Sequence, residues 1–183
     1  MTTPEIIAQI TSVLAVGFNC LSFLQKKKST LLVLQLGSSV LFAATYFLLG
    51  AIAGAIINIV SIFRAIIFLW KDKLHADNAL WTGGFILAYI ASYASTFLIF
   101  QKEASLENLI IEFLPVIAMT AMHLSLRYSD TKMVRRFGLV SSPTWLAYNI
   151  AIFSIGGTVS ELLNFASIII GIFRFDITKK NNG

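Results

Sequence analysis

Asn58 and Asn164 are the residues in this chain whose type and spacing first suggest chemistry. Each is an amide within a long apolar stretch, shortly after a glycine-containing turn. A shift of 106 positions lays Asn58 on Asn164, Phe47 on Phe153, Gly50 on Gly156, Ser61 on Ser167 and Ile62 on Ile168. An amide both donates and accepts hydrogen bonds, so two of them at equal depth suit the hydroxyl or amide groups of a polar solute. They equally suit a plainer task, tying helices together at about 0.6 kcal/mol per contact. In the same register Ser39 falls on Trp145. Trp145 either stacks on a ligand or fills a core. Asn149 follows it by one turn on the same helical face, as Ser39 follows Gln35, so Ser39, Trp145 and Asn149 are candidate walls of one vestibule.

A second set carries charge. Arg64 is the arginine furthest inside an apolar run, close enough to Lys71 to snorkel toward an interface, with a gate or counter-ion role as the alternative. Glu112 and Glu161 lie near the starts of their runs, where they serve either as outer-gate or proton sites or as partners of a helix N-terminus. His123 is one turn from Met119 and Arg127. A proton relay through these groups has no pairing motif in the sequence to support it.

The elements that must position them are long and apolar. A membrane-spanning helix needs about 20 mostly apolar residues. Runs of that kind extend over 5–25, 29–49, 51–70, 79–100, 108–128, 137–155 and 158–175. Lipid offers an open backbone no partner, so each run is expected to be helical. Trp70, Trp81, Tyr128 and Phe175 stand where aromatic belts are expected. Pro115 and Pro143 are candidate hinges.

Composition agrees. The chain is 57% hydrophobic and 13% charged, whereas soluble domains run about 45–50% and about 25%. The mean hydropathy is +0.80. Sorting the loops of seven spans onto alternate sides explains the net charge of +5. One side receives Lys26, Lys27, Lys28, Lys71, Lys73, Arg127, Lys132, Arg135, Arg136, Arg174, Lys179 and Lys180; the other receives Lys102 alone. The positive-inside rule then puts the N-terminus outside and the C-terminus in the cytoplasm. The basic charge is thus a topological signal, with contact to anionic headgroups as its subsidiary role, and nucleic acid is not an expected partner. Met1 to Glu5 has no basic n-region, so the first run is expected to be retained rather than cleaved. The single Cys20 forms no internal disulfide, no Cys/His cluster suits a metal, no cofactor is expected, and no hydrolase or nucleotide-binding motif is present, which points away from an enzyme.

The expected fold is all-α: seven transmembrane helices in a 3+1+3 parallel repeat. Residues 1–77 form the first three-helix unit, 78–104 a linker helix, 105–178 the second unit and 179–183 a flexible tail. Two three-helix units can be parallel in one chain only if an odd linker helix joins them.

Two resemblances follow from these residues. Phe113-Leu114-Pro115-Val116-Ile117, Ser154-Ile155-Gly156-Gly157-Thr158 followed by Glu161, and the Tyr46–Gly50 turn with the Asn58 neighbourhood resemble the YgjV-type bacterial inner-membrane proteins over most of the chain. That implies a multi-pass inner-membrane protein and no particular activity. The 3+1+3 plan with one asparagine in each third helix is similar to the SWEET sugar facilitators and PQ-loop proteins, although the chain has no Pro-Gln dipeptide. That resemblance implies a solute-binding pair at Asn58 and Asn164 with Ser39 and Trp145 as pocket walls. The function expected is a facilitator or transporter for a small neutral, sugar-like polar solute in the bilayer, working by alternating access. The alternative is a non-transporting scaffold or accessory subunit.

Overall fold

The apolar runs are helices, as lipid-compatible backbone requires. The computed structural model describes residues 2–23, 28–128 and 131–177; Lys26, Lys27, Lys179, Lys180 and the 179–183 tail lie outside them. Seven long helices follow in order: α1 (Thr3–Phe23), α2 (Lys28–Leu48), α3 (Ile52–Leu69), α4 (Ala79–Leu98), α5 (Leu106–Leu126), α6 (Thr131–Ala151) and α7 (Ile155–Gly171). A single turn, Lys71–Leu74, lies between α3 and α4, and a π-helical stretch, Ile172–Ile177, continues α7. Among the described residues there is no strand. Two stretches, Thr3–Leu21 and Leu106–Ser125, are long and apolar enough by themselves to cross a membrane; the apolar stretches Leu36–Leu48, Ile52–Phe68 and Ile155–Gly171 are shorter.

Helix α6 starts earlier than the apolar pattern predicts, at Thr131 rather than 137. The basic residues Lys132, Arg135 and Arg136 are therefore helical, because Lys and Arg are good helix formers wherever their heads reach water. The second turn correspondingly falls at Ile152–Ser154, ahead of the Gly156-Gly157 pair.

The helices form a ring. α1 packs on α2, α2 on α3, α3 on α5, α5 on α6, α6 on α7, and α7 back on α1, while α4 lies outside against α3 and α5. Burial is inverted relative to a water-soluble bundle. Ser12, Thr45, Thr96, Ser125 and Asn149 are fully buried, whereas Leu80, Leu87, Leu98 and Ile99 are more than half exposed. Apolar groups outside and small polar groups between helices are the arrangement expected when the solvent is hydrocarbon, where close packing and interhelical hydrogen bonds hold helices together.

The helix bounds recur at a spacing of 103, the separation of Tyr46 and Asn149. Thr3 and Phe23 are matched by Leu106 and Leu126, Lys28 and Leu48 by Thr131 and Ala151, and Ile52 by Ile155. The turn hydrogen bonds recur at the same spacing. Ala51 N–H donates to Tyr46 C=O at 2.8 Å and Ser154 N–H to Asn149 C=O at 2.9 Å; Gly50 N–H donates to Phe47 C=O and Phe153 N–H to Ile150 C=O, both at 3.1 Å. Each set closes α2 or α6 with a Schellman motif whose key residue has positive φ, +69° at Gly50 and +55° at Phe153.

This corrects the register of 106. Gly50 corresponds to Phe153, not Gly156, and Asn58 corresponds to Glu161, not Asn164. The two glycines are used for different physical reasons. Gly50 supplies the left-handed backbone of a turn. Gly156 and Gly157 lie inside α7, where a Cβ on Gly156 would sit 2.5 Å from the backbone of Ser12 and one on Gly157 would overlap the Asn149 amide.

Candidate functional site

A cavity of about 630 Å³ lies inside the ring. Its wall is built from residues at matching positions. From α2 and α6 come Ser39 with Ser142, Phe42 with Trp145, and Tyr46 with Asn149. From α3 and α7 come Asn58 with Glu161, Ser61 with Asn164, and Arg64 with Ser167. Helix periodicity explains the choice: residues three and four apart share one face, so 58, 61 and 64 on α3 form one polar ladder and 161, 164 and 167 on α7 another.

The structure thus brings seven of the nine residues singled out by sequence to one cavity: Asn58, Asn164, Ser39, Trp145, Asn149, Glu161 and Arg64. Their detailed placement differs from expectation. At the spacing of 103, Asn58 and Asn164 stand one rung apart, three residues or about 4.5 Å of helix rise. The Asn58 amide N–H donates to Gly54 C=O at 2.9 Å on its own helix, which leaves its oxygen available to the cavity. The Asn164 amide reaches Glu161 Oε1 at 3.4 Å, and Ser142 donates to Glu161 Oε2 at 2.8 Å. Ser39 corresponds to Ser142 rather than to Trp145. Trp145 stacks face to face with Tyr46 at 5.9 Å and 7°, and Tyr46 stacks in turn on Phe42. This gives the cavity one aromatic wall.

Asn149 closes the cavity rather than opening onto it. Its oxygen accepts from Tyr46 Oη at 3.0 Å, and its N–H donates to Trp145 C=O at 2.8 Å. Between this pair and the α2–α3 and α6–α7 turns the packing is solid: Ala51, Ala53, Ala55, Tyr148 and Ser154 are wholly buried. The opposite end reaches Arg135 and Gly171. There Arg135 Nε donates to Asp176 Oδ2 at 3.0 Å, with a second bond from Nη2 to Oδ1. The hydrogen bonds and charge of Arg135 hold the Asp176 carboxyl below its usual range.

Glu112 and His123 lie off the cavity. Glu112 is wholly buried and has an architectural environment. Its Oε1 accepts from Lys102 Nζ at 2.6 Å, and its Oε2 accepts from Ala53 N–H at 3.1 Å and Tyr148 Oη at 3.4 Å. α3 has no side-chain cap of its own, because its N-cap is Ala51, so the Glu112 carboxylate on α5 accepts the first-turn N–H of Ala53, and Tyr148 Oη accepts that of Gly54 at 3.2 Å. His123 is buried against Phe68, Phe85 and Tyr89, and neither ring nitrogen has a hydrogen-bond partner among the described residues. Arg64 Nη1 reaches the same Tyr89, donating to its hydroxyl at 3.4 Å.

Sequence reading passed over several contributors. Gln9, at the position matching Glu112, donates to Phe153 C=O at 2.8 Å and accepts from Ile155 N–H at 2.9 Å. Lys102 donates to Gly50 C=O at 3.3 Å, the carbonyl that corresponds to Phe153 C=O. One neutral amide therefore does at the second turn what the Glu112–Lys102 pair does at the first. The signal was present as polar residues at equal distances from the starts of α1 and α5, visible once the spacing of 103 is known. Tyr46, Ser142, Arg135 and Asp176 carried no comparable local signal.

Helices that are polar along their common axis and apolar outside define a helical membrane protein. The chain belongs to the YgjV family of bacterial inner membrane proteins, whose sequence profile it matches over residues 6–179, as the segments around Pro115 and Gly156 suggested. No curated protein and no solved structure matches it.

Proposed function

We propose that this inner-membrane protein is a multi-pass carrier, not an enzyme, for a small polar solute of no net charge. It moves that solute by alternating access between a first three-helix unit (1–77) and a second (105–178), with the linker helix (78–104) on the outside. The observation that carries this reading is the cavity of about 630 Å³, whose mainly apolar wall holds polar side chains from matching positions of the two units. A scaffold gains nothing from a hollow on its axis that holds polar side chains, whereas a carrier needs its site between the moving parts.

Three further observations support the parallel repeat. The helix bounds and both Schellman turns recur at one spacing. Exchanging α1, α2 and α3 with α5, α6 and α7 leaves the order of neighbours round the ring unchanged. The odd helix, α4, packs only beside the junction of the two units. The basic residues at the ends of α3, α5 and α6 favour a cytoplasmic side there, with the N-terminus outside and the C-terminus inside. In that orientation the solid packing around Tyr46 and Asn149 is the outer closure, and the end at Arg135 faces the cytoplasm. Rocking of the units would part Tyr46 from Asn149 and close the Arg135 end. Asn58 and Asn164 offer hydrogen bonds to the solute, with Ser39 and Trp145 as walls.

The test is uptake into liposomes containing the purified full-length chain, with a panel of sugars, polyols and amino acids. At least one solute should show protein-dependent flux that falls about tenfold or more in Asn58→Ala and Asn164→Ala variants of unchanged elution profile, the loss expected for one or two solute hydrogen bonds. If no solute gives a flux that these variants lower, the carrier reading is lost and the scaffold reading takes its place.

A further inference from the structure

The two polar ladders are alike except in charge. α3 presents Asn58, Ser61 and Arg64; α7 presents Glu161, Asn164 and Ser167, all on the cavity wall. The charged rungs stand at opposite ends. Glu161 is at the depth of Asn58, toward the closed end, and Arg64 is at the depth of Ser167. Six residues of helix separate the two depths, about 9 Å along the axis. The cavity wall therefore carries an acidic side chain at one depth and the Arg64 guanidinium at another.

Glu161 accepts from Ser142 and Asn164, and Arg64 donates to Tyr89; among the described residues neither belongs to an ion pair. The other intramembrane and mouth charges behave differently. Glu112 is paired with Lys102, and Arg135 with Asp176. An unpaired charge at membrane depth is costly to hold, and a site that keeps two of opposite sign is matched by a ligand with the reverse dipole. The surroundings fit the two halves of such a ligand. Ser142, which donates to Glu161, is one turn from Trp145, so the Trp145–Tyr46–Phe42 stack forms the aromatic wall beside that carboxyl. The planar fork of Arg64 suits a carboxylate. A sugar would leave both charges without a partner.

We propose that the ligand of this cavity is a small zwitterion, held with its ammonium group at Glu161 and its carboxylate at Arg64. This rests on the carrier reading and narrows its solute class, since a zwitterion has no net charge.

The test uses calorimetric titration of the full-length chain in nanodiscs. Glycine, 4-aminobutyrate and 6-aminohexanoate serve as zwitterions of increasing length, with butyrate, butylamine and glucose as controls. At least one zwitterion should bind about tenfold or more tightly than every control. Arg64→Gln should remove its advantage over butylamine, and Glu161→Gln its advantage over butyrate. If Arg64→Gln does not fold, Arg64→Lys, which keeps the charge, should retain zwitterion binding while the wild-type comparison stands alone. Absence of binding by all three zwitterions, or equal binding by any control, overturns the proposal. Glucose binding that Asn58→Ala weakens would overturn it while leaving the carrier reading intact. No binding together with no uptake of any solute would remove both.

Discussion

Gly157 shows how much a single residue decides here. The hydrogen that it carries in place of a Cβ leaves room for the Asn149 amide, which accepts from Tyr46. Gly50, by contrast, has open space around its Cα and is needed for its positive φ. The two therefore predict different losses. Gly50→Ala should cost about 1 kcal/mol, the ordinary penalty of a left-handed non-glycine residue, with the cavity wall unchanged. Gly157→Ala should cost about 3 kcal/mol or more, because the new methyl must displace Asn149 and break its bond to Tyr46. Thermal unfolding in detergent separates them: a small shift for Gly50→Ala and a large one for Gly157→Ala. Equal shifts would contradict the assignment of one glycine to conformation and the other to contact. Phe153 holds a positive φ without being glycine, and its ring is 81% exposed, so it occupies that position for backbone geometry and lipid contact rather than core packing.

At the scale of elements, the first helix of each half supports the turn between the second and third helices of the other. Gln9 on α1 ties down the α6–α7 turn, while Glu112 on α5, with Lys102, ties down the α2–α3 turn. The charged version is vulnerable in a way the neutral one is not. Lys102→Met should destabilise the protein by about 3–5 kcal/mol, because it leaves the wholly buried Glu112 carboxylate without its counter-ion. Adding Glu112→Gln should recover most of that loss by recreating at the first turn the amide that already serves the second. A double-mutant cycle on chemical or thermal unfolding reads this directly. Additive losses in the double variant would mean that the pair is not coupled. Since each tie crosses from one half to the other near the closed end of the cavity, it belongs to the contacts that hold that end shut.

For the whole molecule, the arrangement depends on which way it lies in the membrane. The loop containing Lys102 and Glu103 and the segment containing His75 should lie on opposite sides. In a Cys20→Ser background, Glu103→Cys should react with an impermeant maleimide once the outer membrane is permeabilised. His75→Cys should react only after the inner membrane is broken. Both positions are exposed, so access depends on sidedness alone. Reaction of both from one side would break the seven-span plan, and the reverse order would invert the closure described above. On the proposed carrier reading, the same orientation would set the direction of the first conformational step: solute would leave or enter at the Arg135 end, and the Tyr46–Asn149 closure would part before the other side is reached.

Much of this was legible residue by residue. Long apolar runs with few charges define lipid as the solvent, and lipid leaves the helix as the only open-chain solution, so class and helix number followed from local composition, while the family followed from the segments around Pro115 and Gly156. The polar residues inside those runs were equally visible, since each stands out against its neighbours, and seven of the nine converge on one cavity. Register and partnership were not legible. The identities around Gly50 and Gly156 favoured a shift of 106, because sequence does not reveal whether a glycine is present for its φ or for its missing Cβ. Only the turn hydrogen bonds and the Ser12 contact tell the two uses apart. Likewise Glu112 and Glu161 look alike as acids near helix starts, yet among the described residues one finds Lys102 and the other finds no cation. That difference depends on which side chains from distant parts of the chain share a given depth and face, and the tertiary packing alone decides it.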